Sequence, residues 1–214
     1  METKTPSPHR IQLLCGALAG PLFILIALIQ DYAVPGFNPR IHLLSQLSLG
    51  EWGWIQIANF VLAGVLNLLY ARGLWKKLHP GPSGTAGPVL IGIYGICLIS
   101  VGIFTTDPAN GFPPGVIALT QPSRHGVIHA LGGLFTFVSL AAALMAFGRL
   151  FVTWKERWWA AYCLVSAALF LLIFFGGFTY ADLMARTLRL ATLIGWMAAS
   201  VIAMKLLCTS ESNK

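Results

Sequence analysis

The chain has 214 residues, of which 57% are hydrophobic and only 10% charged, and its mean hydropathy is +0.75. A water-soluble domain carries about a quarter charged residues, so lipid is the main solvent here and little material is left for a water-exposed catalytic domain. Lys and Arg exceed the acids to give a net charge of +7, but they are scattered in ones and twos, without the basic stripe that nucleic-acid binding requires.

A membrane helix needs about 20 mostly apolar residues to cross roughly 30 Å of hydrocarbon. Six stretches qualify, at 11–30, 52–74, 87–106, 126–150, 158–180 and 183–207. The expected fold is therefore all-α: a single domain of six transmembrane helices. The first stretch outruns a signal-peptide core and ends at Gln30-Asp31-Tyr32 without a small-residue cleavage site, which predicts a retained helix. Cys15, Cys97, Cys163 and Cys208 are widely spaced within or at the ends of apolar runs and read as packing residues.

Ten cations fall at one end of these spans: Lys4, Arg10, Arg72, Lys76, Lys77, Arg149, Lys155, Arg157, Lys205 and Lys214. Arg40, Arg124, Arg186 and Arg189 fall at the other, so the positive-inside rule predicts that both termini are cytoplasmic. Trp52, Trp54, Trp75, Trp154, Trp158 and Trp159 sit at span ends, as an interfacial aromatic belt requires.

Polar residues gather in the loops opposite the termini. In the segment after the first span, Asn38-Pro39 fits a helix cap and first position and Gly50 fits a stop, which predicts a short helix from Pro39 to Leu49 with His42 and Ser45 on one face. The third span ends in Phe104-Thr105-Thr106-Asp107-Pro108, and the fourth opens with Ser123-Arg124-His125-Gly126-Val127-Ile128-His129. His125 and His129 are one helical turn apart, and His129 lies about a turn below the surface, where an ionisable residue marks a functional site by default. Arg186 and Arg189 open the last span at the same level. His42, Asp107, His125 and His129 thus converge on one face of the bilayer and predict an outward-facing polar pocket. His9 and His79 belong to the opposite side.

Several chemistries fit this inventory. His42, Asp107, His125 and His129 supply nitrogen and oxygen donors suited to zinc or another divalent metal, which would activate water for hydrolysis of a lipid-like substrate. Ser45 as nucleophile, with His129 as base and Asp107 orienting it, is a metal-free variant. The donor set is similar to that of the alkaline ceramidase and adiponectin-receptor membrane hydrolases, which have more spans and another motif order. Haem would need two imidazoles facing each other from different helices, which leaves only His42 with His129. Arg124, Arg186 and Arg189 could instead hold an anionic lipid headgroup without catalysis. Transport through a homo-oligomer is a further class, but no inverted repeat or deep charge supports it. Against all of these stands a structural reading, in which Asp107 caps the third helix or pairs with Arg124 while the histidines and Ser45 bond the helix ends together.

Three runs carry a family resemblance: Asn38 to Gly50 before the second span, Phe104 to Pro108 after the third, and Arg124 to Ala130 opening the fourth. Together they resemble the prokaryotic six-helix membrane family catalogued as domain of unknown function 998, with Ser45, the Asp107-Pro108 pair and the histidine at the start of the fourth span matched. The resemblance covers nearly the whole chain. It implies an integral protein of a prokaryotic plasma membrane and no settled activity.

Overall fold

The computed structural model describes residues 8–209. Six helices are long and apolar enough to cross a membrane among these residues: α1 (Pro8–Ala33), α2 (Gly53–Leu78), α3 (Pro82–Ile103), α4 (Arg124–Thr153), α5 (Arg157–Thr179) and α6 (Met184–Thr209). No β-strand occurs among the described residues. Lys4 and Lys214, used to read orientation, lie outside them.

Each helix packs on its neighbours in the chain and α6 returns to pack on α1, so the six form a closed ring. Lipid tails are as apolar as leucine, so hydrophobicity does not drive these contacts; close approach of backbones does. Glycine supplies it. A Cβ on Gly64 of α2 would stand 2.7 Å from the Gly95 carbonyl of α3, and one on Gly95 would stand 2.9 Å from the Gly64 carbonyl. Gly20 of α1 likewise meets α6, where an added Cβ would lie 2.9 Å from the Trp196 carbonyl. At the end carrying the termini, Leu74, Leu144, Phe147, Phe151, Cys163, Ile202 and Leu206 fill the centre of the ring. Lys77 donates there to the Leu206 carbonyl near the end of α6, where orphan carbonyls favour a cation.

The opposite, loop-rich end is closed by two long connections that bind each other. Ala109-Asn110-Gly111-Phe112 forms a tight turn with both central residues at positive φ, 56° for Asn110 and 77° for Gly111, the conformation for which Asn-Gly is best suited. The turn is gripped from the 31–51 segment: His42 Nε2 bonds the Asn110 carbonyl at 3.0 Å and Gln46 Nε2 donates to the Ala109 carbonyl at 2.7 Å. Phe37, Leu47 and Phe112 make a small apolar core beneath it.

Two local expectations change. The Pro39–Leu49 stretch is not one helix: Asn38 turns back on itself, its Oδ1 accepting from Arg40 N–H and its N–H donating to His42 Nδ1, and Leu43 is extended. Only a 3₁₀ turn, Leu44–Ser48, follows. His42 therefore does not share a helical face with Ser45. The third span also stops at Ile103, because Phe104 leaves the helix in extended conformation.

Replacing Gly95 by Leu should drive side-chain atoms into the α2 backbone and cost about 1–3 kcal/mol, as overpacking does. Thermal melting in detergent, followed by helical circular dichroism, checks this; Gly133→Ala, where an added Cβ meets nothing within 4 Å, should not lower the midpoint.

Candidate functional site

Within the loop-rich half of the ring the helices do not close on one another, and a cavity of about 500 Å³ remains. That is within the range of roughly 300–1,000 Å³ typical of small-molecule sites. Its floor is aromatic: Trp196 of α6 stacks on Phe23 of α1, with ring centres 5.0 Å apart, and meets the edge of Tyr94 of α3. One wall is Phe137 of α4 against Phe174 of α5, 4.3 Å between centres. Leu43, Leu44 and Ser45 form the roof.

Above the Phe137–Phe174 stack, α4 and α5 part. Near the other end, a Cβ on Gly148 of α4 would already touch Leu164 of α5 at 3.2 Å, whereas one on Gly133 of α4, which lines the cavity, would meet nothing within 4 Å. Leu131, Leu134 and Phe178 line the cavity and are also exposed on the outside of the bundle. The gap opens on the apolar outer face of the membrane-spanning helices.

Polar groups meet the cavity mainly at its roofed end. His129 is only 8% exposed; its Nδ1 lies 2.8 Å from the Phe104 carbonyl and 3.1 Å from that of Val101. Both partners are acceptors, so Nδ1 carries the proton and orients the ring. Arg189 of α6 lines the cavity and its Nη1 donates to Asp31 Oδ2 of α1 at 2.5 Å, while its guanidinium carbon lies 5.9 Å from the centre of the Phe37 ring. Ser45 and Thr106 add hydroxyl groups. Behind the wall, Gln30 donates to Gln56 at 2.8 Å and Asn59 donates to the Phe23 carbonyl at 3.0 Å, tying α1 to α2.

The residues singled out by sequence are distributed differently from a metal centre. His42 has both nitrogens committed, to the Asn38 N–H and the Asn110 carbonyl, and its ring lies among Phe37 and Phe112. Asp107 accepts from the Ser123 N–H at 2.9 Å and the Ser123 hydroxyl at 2.5 Å, and Ser123 in turn accepts from Gly126 N–H to cap α4. It thus serves the start of the fourth helix and not the end of the third. His125 is exposed, with its ring edge-on to Phe104. Among the described residues no group of three or more His, Cys, Asp or Glu side chains could hold a metal ion. Nor does Asp107 orient His129, which is held by the two backbone carbonyls. Arg124 and Arg186 are exposed, and only Arg189 turns inwards. The expected polar pocket is corrected to an apolar cavity, because most of the convergent polar groups bond the loops to each other.

Asp31, Gln30, Gln56 and Asn59 do not line the cavity but tie together the helices around it. As ties they were overlooked in the sequence, although each is an ionisable or amide group within or closing an apolar run, which is itself the signal. Replacing Arg189 by Met should cost about 3–5 kcal/mol, because it strands the buried Asp31 carboxylate. The double replacement of Arg189 by Met and Asp31 by Asn should recover most of that loss, as unfolding of the four proteins of the cycle will show.

No curated protein and no solved structure matches the chain significantly. A family model matches residues 17–207, which include parts of all six helices and both long connections. The chain belongs to the family described as protein of unknown function DUF998.

Proposed function

We propose that this integral membrane protein binds one lipid-like amphiphile inside its helix ring, taking it from the bilayer through the gap between α4 and α5. The observation that carries this reading is the cavity itself: apolar along its length, open sideways to hydrocarbon, and polar at the roofed end beside His129, Arg189, Ser45 and Thr106. An amphiphile has the same distribution of character along one axis. The basic residues at the terminal end of the bundle favour both termini in the cytoplasm and the roofed end outside, in a prokaryotic plasma membrane.

Binding without catalysis has better support than metal-dependent hydrolysis. His42 and Asp107 spend their hydrogen-bonding atoms on the loops and on the α4 cap, which leaves His129 without the partners a zinc shell needs. Ser45 and His129 do line the same cavity, so lipid-ester turnover that Ser45→Ala abolishes would overturn the non-catalytic reading.

Gly133 projects into the cavity and has room beside it, so Gly133→Trp should fill the space without moving the helix. Native mass spectrometry of protein released gently from membranes should show about one lipid-like molecule per wild-type chain, and at least about tenfold lower occupancy in the variant, the equivalent of losing roughly 1.4 kcal/mol of binding. Equal occupancy in folded samples of both would refute an internal site.

A further inference from the structure

We infer that the guest's polar head is an uncharged hydroxyl, donated to Nε2 of His129; this rests on the cavity taking a lipid-like molecule, as proposed above. His129 is more than nine-tenths buried and lines the cavity. Its Nδ1–H is fixed by the Val101 and Phe104 carbonyls, so in the uncharged ring Nε2 presents a lone pair. Among the described residues that lone pair receives no hydrogen bond from the chain. What it matches is a donor.

Charge decides which donor. Arg189 reaches the same cavity; Asp31 at 2.5 Å balances its charge, so a charged head has no counter-charge to meet, while its Nε and Nη2, buried without a hydrogen-bond partner among the described residues, call for an acceptor. An anionic head would bring a second negative charge towards the buried Asp31 carboxylate, and a cationic one would meet Arg189. Either adds an uncompensated charge in a low-dielectric surrounding, which is expensive. A hydroxyl avoids both costs and remains uncharged: it can donate to Nε2, and its oxygen can accept from an N–H such as the unpartnered ones of Arg189.

The head also has to carry the selectivity. An acyl chain leaving the bilayer for this cavity exchanges one apolar surrounding for another, so the Phe and Leu lining barely distinguishes the guest from bulk lipid. A buried acceptor left without its donor does distinguish them.

The test uses the full chain in phosphatidylcholine nanodiscs and five probes of matched chain length: a saturated alcohol, its methyl ether, the alkane, the fatty acid and the monoacylglycerol. Binding is read by native mass spectrometry, with the thermal midpoint of each sample measured alongside. The alcohol should bind at least about tenfold more tightly than its ether, the loss expected for one unpaired buried acceptor. His129→Asn keeps an N–H donor near the Nδ1 position and lacks Nε2; it should bring alcohol and ether to equal affinity. The monoacylglycerol arm separates a glycerol-linked hydroxyl from a free alcohol as the source of the head, and tighter binding by either supports the inference. Preference for the fatty acid, or an ether bound as well as the alcohol, would overturn the hydroxyl assignment and leave the cavity standing. If no probe binds in a manner sensitive to Gly133→Trp, the cavity reading itself fails.

Discussion

Asp31 near the end of the first span and Arg189 near the start of the last are bonded to each other at 2.5 Å, and each is largely withdrawn from solvent. Either charge alone would be costly at that depth, so each makes the other tolerable only if α1 and α6 stay together. Together with the Gly20–Trp196 approach and the Phe23–Trp196 stack, this contact closes α1 on α6 and turns a row of helices into a ring. The cavity lies inside that ring, in its loop-rich half. The same guanidinium also lies over Phe37, so the pair that closes the bundle also anchors the apolar core of the loop-rich end.

From there, order passes to the site through backbone groups. His42 and Gln46 hold the Asn110 turn by its carbonyls, which fixes the connection between α3 and α4. Asp107 and Ser123 then set where α4 begins, since Ser123 accepts from Gly126 N–H. The cap allows no side chain at residue 126, where a Cβ would collide with the Asp107 carboxylate. His129 follows one turn on, and its ring is pinned by carbonyls at the frayed end of α3. Loops without regular structure thereby place one imidazole nitrogen at the cavity's roof.

The six spans were legible because crossing hydrocarbon imposes a length and an apolarity that nothing else in the chain imitates. The gathering of polar residues at one end was legible for the same reason. Their partners were not. His42, Asp107 and His129 bond mainly to backbone groups, and side-chain spacing along a sequence does not encode a carbonyl 25 or 68 residues away. The cap and stop signals at Asn38-Pro39 and Gly50 do not make Pro39–Leu49 a helix, because Asn38 uses its side chain to make a turn instead of a cap. The Asn110-Gly111 turn carried a strong local signature, yet which loop would grip it depended on the completed fold. The parting of α4 and α5 left no sequence signal: Gly133 and Gly148 look alike in the chain, and one faces open space while the other is packed.

On the proposed reading of a lipid-like guest, that parting determines what the cavity samples. An opening onto hydrocarbon is supplied by lateral diffusion in two dimensions, and a guest that partitions strongly into lipid is already concentrated there many times over its aqueous level. Occupancy then follows the guest's mole fraction in a single leaflet and is nearly indifferent to its concentration in water. Affinity expressed per lipid can be weak and still keep the ring filled, and a shift in the composition of that leaflet would empty or load it without any change in the surrounding solution.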